Sequence, residues 1–185
     1  MSFKHHLLLP FRELQQHSLM ITLILFLAIA TRFLPHPPNF TPMISIAILS
    51  TAYFKHQTLK FILPLLIMFV SDLFLGLHRL IPVVYCSLIL AGLSGYVLKS
   101  HFSFLRVATA SLLGPIIFFL SSNFGVWIYS AMYAKTLSGL MTCYIAALPF
   151  FHNSVLATFL GLITLFGLLK MNEKYARNVA IRQDS

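Results

Sequence analysis

Long apolar runs separated by short polar turns are the feature that most restricts how this chain can fold. A transmembrane helix needs about 20 predominantly apolar residues. Only 9% of the residues are charged, whereas a soluble domain carries roughly 25%. The sequence therefore predicts an all-α integral membrane protein with six transmembrane helices. The predicted helices 1 to 6 are 17–33, 41–54, 59–77, 81–98, 104–122 and 152–170.

The positions of lysine and arginine predict how these helices are oriented. Arg32, Arg79 and Lys135 fall on one side, and the others lie at the two termini or in turns on the opposite side. Because such residues concentrate in the cytoplasm, both termini are expected there, which requires an even number of helices. The predicted organisation is a cytoplasmic segment 1–16, a six-helix membrane domain 17–170 and a basic cytoplasmic tail 171–185.

The net charge of +9 does not indicate nucleic-acid binding. Proteins that bind nucleic acid cluster their basic residues on one exposed face, whereas here the cations lie between apolar runs and at the ends. The positions of the basic residues instead match the asymmetry of lysine and arginine in membrane proteins. We therefore expect the lipid bilayer as surroundings and no nucleic-acid partner.

The first 30 residues allow a second interpretation. Lys4 and Arg12 precede an apolar run that ends in Ala28-Ile29-Ala30, which is the pattern of a secretory signal with a small-residue cleavage site. Because many further spans follow, we expect this segment to be retained as the first helix.

The stretch 123–151 is too aromatic for a solvated loop. We predict that it dips into the protein as a long loop, with a short helix at 139–148 that ends at Pro149. Non-helical backbone is tolerated at membrane depth only where protein or a watery cavity surrounds it. The segment therefore indicates a capped cavity.

Three unusual stretches fall on the predicted outer side, namely 32–42 (RFLPHPPNFTP), 71–82 (SDLFLGLHRLIP) and 121–136 (SSNFGVWIYSAMYAKT). This asymmetry predicts a binding site open to the outside, with the proline-rich loop as its wall or lid. That loop carries His36 and Asn39. The imidazole of His36 could be a metal ligand, a pH-sensitive group or a hydrogen-bonding cap.

Asp72 is the one acidic residue between Glu13 and Glu173. A lone carboxylate near membrane depth is costly unless it is paired, and Arg32 and Arg79 are its expected partners. The pair could pin helix 3 to helix 1, contact a ligand, or do both.

Aromatic and amide side chains gather in the third outer stretch, including Asn123, Phe124, Trp127, Tyr129 and Tyr133. Tryptophan and tyrosine collect at membrane interfaces in general. Flat rings next to an amide also suit a planar or heterocyclic ligand, so both interpretations stay open.

Cys86, next to Tyr85, lies near the outer end of helix 4. A thiolate is a soft ligand for zinc, copper or a cobalt-like centre, although a free cysteine in a helix is usually a small apolar residue, as we expect for Cys143. Two cysteines in apolar surroundings indicate no disulfide framework.

Three small-xxx-small pairs, Ala91–Gly95, Ala110–Gly114 and Ala157–Gly161, predict close helix packing inside the protein. No metalloprotease, nucleophile-elbow, phosphate-loop or dinucleotide motif occurs in the sequence. We therefore do not expect an enzyme or an intrinsic cofactor.

The chain resembles a family of small, poorly characterised bacterial membrane proteins in the stretches 32–43, 71–78 followed by Val84-Tyr85, and 118–151. At a coarser level it is similar to the substrate-binding S components of energy-coupling-factor vitamin transporters. Those are six-helix proteins with a ligand pocket near the outer face, capped by outer loops. The resemblance implies an S-component-like bundle in the bacterial inner membrane.

The resemblance extends to the solitary cobalamin S component, which is similar in having a histidine in the first outer loop, an aspartate late in helix 3 and a cobalt-facing cysteine near helix 4. His36, Asp72 and Cys86 occupy comparable places here. This implies cobalamin or a related corrinoid as the transported ligand, with His36 and Cys86 facing the metal. Helix 1 lacks the A-x-x-x-A pattern of S components that dock onto a shared ATPase, which favours a protein that works without that energising module.

The expected function is therefore binding and uptake of a small vitamin-like solute from the periplasmic side. One alternative is a structural or assembly protein with a flat outer face and no solute. Another is a membrane enzyme acting on a lipid or quinone, with His36 and Asp72 as acid–base groups within hydrogen-bonding reach. The candidate binding residues are Arg32, His36, Asn39, Asp72, Tyr85, Cys86, Asn123, Trp127 and Tyr133.

Overall fold

The computed structural model of the protein describes residues 26, 29–99 and 102–183, with side chains up to Met171, and over these residues it is helical without strands. The helical residues 29–33 form α1. The further helices are α2 (Met43–Tyr53), α3 (Gln57–Leu75), α4 (Ile81–Gly92, continued by the 3₁₀ helix Leu93–Leu98), α5 (Phe104–Tyr129) and α6 (Leu137–Gln183).

Four helical stretches in the described part of the chain are long and apolar enough to cross a membrane. They are Gln57–Leu75, Ile81–Leu98, Phe104–Tyr129 and Leu137–Met171, and Met43–Tyr53 is a shorter apolar helix. These elements lie where the sequence predicts helices 2 to 6 and indicate a membrane protein. Most of predicted helix 1 and the whole of the segment 1–16 lie outside the described residues.

The predicted long loop at 123–151 is wrong. Helix α5 continues to Tyr129, α6 begins at Leu137, and only 130–136 is non-helical between them. Pro149 lies inside α6, just as Pro64 lies inside α3 and Pro115 inside α5. A proline removes one backbone hydrogen bond, but membrane helices tolerate it because neighbouring helices and hydroxyl side chains compensate. Predicted helix 6 is accordingly the second part of one 47-residue helix.

Helix α2 is the central element of the structure. All residues from Met43 to Thr51 are buried, as expected for a helix that is apolar on every side. The predicted packing role of the small-xxx-small pairs is confirmed, because the glycine of each pair faces α2. A Cβ on Gly95 would clash with the carbonyl oxygen of Ile48, and one on Gly161 would clash with Ser45 Oγ. A Cβ on Gly114 would lie 2.7 Å from Ile48 Cδ1.

The loop 34–42 packs along α6, next to the short helix α2. Eleven helical residues extend only about 16 Å, roughly half of the apolar thickness of a bilayer. Asn153, near the middle of the apolar part of α6, donates its Nδ2 proton to the Pro38 carbonyl oxygen at 3.0 Å. This hydrogen bond holds the loop beside the middle of the apolar part of α6.

A tight turn shapes the tip of this loop. The Phe40 N–H donates to the Pro37 carbonyl oxygen at 3.0 Å, and Asn39 has a φ of 62°. Proline at the second position and asparagine with positive φ at the third define a type II turn. The sequence Pro37-Pro38-Asn39-Phe40 therefore has the residue types that favour this turn.

Lys60 is a buried cation near the start of α3. It is 2% exposed, its Nζ donates to Gln57 Oε1 at 3.1 Å, and it lies 5.4 Å from the centroid of the Tyr96 ring. The charge is stabilised by an amide oxygen and an aromatic face rather than by water.

Gly161→Ala is expected to lower the free energy of unfolding by about 1–3 kcal/mol, because the added methyl group meets Ser45 in a packed interior. Thermal unfolding in a mild detergent measures the change. Gly167→Ala is the matched control on the same helix, since a Cβ there has nothing within 4 Å. It should be neutral or stabilise by up to about 1 kcal/mol through helix propensity. Equal stability of the two variants would contradict the central position of α2.

Candidate functional site

Two adjoining cavities lie between the loop 34–42 and helices α2 to α6. Their volumes are about 280 Å³ and 330 Å³. Both are lined by Asn39, Val84, Phe118 and Ser154, so the two cavities meet at these four residues. We call the two cavities together the hollow. Their combined size falls within the range of small-molecule sites, roughly 300–1,000 Å³.

The proline-rich loop supplies polar groups to the first cavity. Asn39 reaches it from the third position of the type II turn, and His36 lines it beside Arg32. His36 Nδ1 lies 2.7 Å from the Leu34 carbonyl oxygen. Because a carbonyl only accepts, Nδ1 carries a proton, and Nε2 is left for a partner in the cavity.

Below the loop, Asp72 accepts two hydrogen bonds from other helices. Arg32 Nη2 donates to Oδ1 at 2.7 Å, and the Tyr85 hydroxyl donates to Oδ2 at 2.9 Å. Asp72 is only 3% exposed, and a buried carboxylate is stable when it is paired in this way. The predicted pairing of Asp72 with Arg32 is confirmed, and this triad joins α1, α3 and α4.

Arg32 uses its other donors on α3 as well. Its Nη1 contacts Ser71 Oγ at 2.8 Å and Met68 Sδ at 2.9 Å. Ser71 in turn donates to the Ile67 carbonyl oxygen at 2.9 Å. These contacts fix the guanidinium group against α3, where Arg32 lines the first cavity.

The second cavity is formed mainly by α5, α6 and the loop between them. Asn123 and Tyr133, both predicted as binding residues, line it together with Cys143. Asn123 Nδ2 donates to the Phe119 carbonyl oxygen at 2.8 Å, which leaves its Oδ1 without a donor among the described residues. The Tyr144 hydroxyl donates to the Leu120 carbonyl oxygen at 2.8 Å and ties α6 to α5.

Trp127 does not line the hollow. Its Nε1 donates to the Ala134 carbonyl oxygen at 2.8 Å, and Lys135 lies 5.9 Å from its ring centroid. Lys135 also donates to the carbonyl oxygens of Trp127 and Ser130. The tryptophan thus ties together the two ends of the loop 130–136, and it does not serve the ligand stacking that the sequence left open.

Cys86 lies apart from the hollow as well. It is exposed and lines a separate groove of about 520 Å³ with Arg79 and Tyr129. The structure therefore does not bring Cys86 and His36 to one cavity. Among the residues that the structure describes, no group of three His, Cys, Asp or Glu side chains could hold a metal ion.

The sequence prediction included Asn39 but missed the other three residues where the two cavities meet. Val84 and Phe118 are apolar residues inside apolar helices and give no signal of their own. Ser154 belongs to the short polar run His152-Asn153-Ser154 within an apolar stretch. That interruption was the available sign that this part of α6 faces something other than lipid.

Asp72→Asn is expected to destabilise the protein by about 3–5 kcal/mol, because it leaves the mostly buried Arg32 cation without a counter-charge. Tyr85→Phe removes a single hydrogen bond and should cost about 1 kcal/mol. Unfolding followed in detergent measures both changes.

The double variant Arg32→Met, Asp72→Leu separates charge pairing from packing. Replacing both charges by apolar groups should cost much less than Asp72→Asn alone. A double variant as unstable as the sum of the two single substitutions would show that the pair does not act as a unit.

Comparison with known proteins gives a family without an assigned function. No curated protein and no solved structure matches the chain. The model of one family, described as "Family of unknown function (DUF6580)", matches residues 12–179. The chain therefore belongs to the DUF6580 family.

Proposed function

We propose that this protein binds a small vitamin-like solute in the hollow and takes part in its uptake across the membrane. The observation that carries the proposal is the meeting of the two cavities at Asn39, where a rigid polar loop faces the interior of a helix bundle. A concave site with apolar walls and a few convergent polar groups is the usual form of a small-molecule site.

The walls of the hollow favour a planar solute with hydrogen-bonding groups. Phe118, Phe119 and Tyr133 supply aromatic faces, on which a flat ring packs well. Asn39 and Asn123 offer amides, and His36 offers Nε2 for a hydrogen bond. The volumes of about 280 Å³ and 330 Å³ suit a ligand at the small end of this class.

The geometry favours such a solute over a corrinoid. Ligation of cobalt by Cys86 and His36 requires both side chains to face one cavity, and they line different ones. A corrin macrocycle with its side chains is also far larger than either cavity. From the similarity to the cobalamin S component, we therefore keep only the six-helix layout.

The proposed orientation follows from the distribution of lysine and arginine. In a bacterial inner membrane, with both termini in the cytoplasm, the loops 34–42 and 130–136 belong to the periplasmic side, and the solute enters the hollow from there. Six spans, counting predicted helix 1, complete the S-component-like bundle. The absence of the docking pattern in helix 1 favours a protein that works without a shared ATPase.

The hollow also supports this function over the two alternatives. A purely structural or assembly protein was expected to have a flat face without a cavity. An acid–base pair of His36 and Asp72 needs direct contact, but the oxygens of Asp72 accept from Arg32 and Tyr85. His36 Nδ1 is engaged by the Leu34 carbonyl oxygen.

Mass spectrometry of small molecules that co-purify in a mild detergent should reveal a retained solute. Asn39→Gly should lower its retention by roughly tenfold, the effect of one lost hydrogen bond of about 1.4 kcal/mol. Glycine keeps the positive φ that the turn requires, so the loop retains its shape.

Cys86→Ala is the matched control, because Cys86 lies in the separate groove, and retention should stay unchanged. Two results contradict the proposal: no retained solute in the unaltered protein, or equal retention in the protein and Asn39→Gly. Loss of retention in Cys86→Ala alone would move the binding site to the groove.

A further inference from the structure

The groove that contains Cys86 lies on the outer flank of α4 and α5, away from the hollow. Along α4 it follows Pro82, Val83, Cys86, Ser87 and Leu90, which form one stripe of the helix. Along α5 it is bordered by Ser121, Phe124, Gly125, Ile128 and Tyr129. From Pro82 to Leu90 the helix rises eight times, which gives the groove a length of about 12 Å.

The close approach of the two helices creates this groove. Gly125 is buried against Val83, and a Cβ on Gly125 would clash with the valine side chain. On the outer side of this contact, Leu90, Phe124 and Ile128 remain 40–45% exposed. Because α4 and α5 are apolar helices long enough to span a membrane, these side chains face lipid, and an acyl chain is the group that fills such a groove.

Arg79 adds a cation at the end of the groove where α4 begins. Its side chain is exposed, and we find no hydrogen-bond or ion-pair partner for it among the described residues. The one carboxylate whose side chain the structure describes, Asp72, is held by Arg32 and Tyr85. The positive end of the α4 dipole lies at the same place.

We propose that this groove binds one anionic phospholipid, with the phosphate at Arg79 and an acyl chain between α4 and α5. Arginine donates to two phosphate oxygens at once, and Tyr129 at the end of α5 lies where aromatic residues anchor helices at the interface. The site is independent of the hollow, because the groove and the two cavities share no lining residue.

The test uses full-length protein reconstituted in bilayers of equal parts phosphatidylglycerol and phosphatidylcholine, then transferred to a mild detergent. Lipid retained per protein is measured by mass spectrometry. Phosphatidylglycerol should be enriched in the unaltered protein, and Arg79→Gln should lower this enrichment by roughly fivefold, the value of one basic residue near an anionic surface. Arg79→Lys should keep most of it.

Lys135→Gln is the matched control. It removes the same charge from the same end of the bundle but outside the groove, and its amide can still donate to the Trp127 carbonyl oxygen. Enrichment should persist in this variant. Equal retention of both lipids in the unaltered protein, or an equal loss in Arg79→Gln and Lys135→Gln, would overturn the proposal.

Cys86 gives a second, independent measurement. Its thiol lies in the groove, whereas Cys143 is 2% exposed, so alkylation by N-ethylmaleimide reports on Cys86. Added phosphatidylglycerol should slow this alkylation in the unaltered protein and leave the rate unchanged in Arg79→Gln. A rate that does not respond to the lipid in the unaltered protein would exclude an acyl chain from the groove.

Discussion

The structure depends on one constraint, the need to satisfy a non-helical backbone inside a membrane protein. Helix α2 is too short to span a bilayer, and the loop before it is held beside the middle of the apolar part of α6. Four of the nine residues in 34–42 are proline, which has no N–H to satisfy. The N–H groups of Leu34 and Phe40 are bonded within the local chain, and Asn153 donates to the Pro38 carbonyl oxygen. The unusual composition of this loop thus lowers the number of unpaired donors at membrane depth.

The same constraint explains the position of the charged triad. A loop held against the helices needs a fixed starting point, and Arg32 supplies it two residues before the loop. Its bonds to Asp72 and Ser71 hold the end of α1 against α3, and Tyr85 extends the contact to α4. Since a buried pair stabilises through geometry more than through net energy, its main effect is to define where the loop and the hollow lie.

Those parts of the fold that depend on local chemistry could be predicted from the sequence. The limits of α2, α3 and α4, the Arg32–Asp72 pair and the packing of the small-xxx-small pairs all follow from short-range rules or from the scarcity of acidic residues. Helix α6 could not be predicted, because whether Pro149 ends a helix depends on its neighbours. The positions of Trp127 and Cys86 depend on helix rotation, and hydropathy does not reveal rotation when both faces of a helix are apolar.

Helix rotation is also what gives α4 and α5 two different faces. Successive residues of a helix point about 100° apart, so Val84 borders the hollow while Val83 and Cys86 border the groove. On α5, Phe118 and Asn123 face inward and Phe124 and Ile128 face outward. The pair of helices α4 and α5 therefore has two different sides. The side that faces the hollow is polar and aromatic, which suits a small solute. The side that faces the groove is apolar and ends in the cation of Arg79, which suits a lipid. Because Gly125 locks against Val83 within this pair of helices, a substitution that separates the helices alters both sides, whereas Asn39 and Arg79 each belong to one side alone.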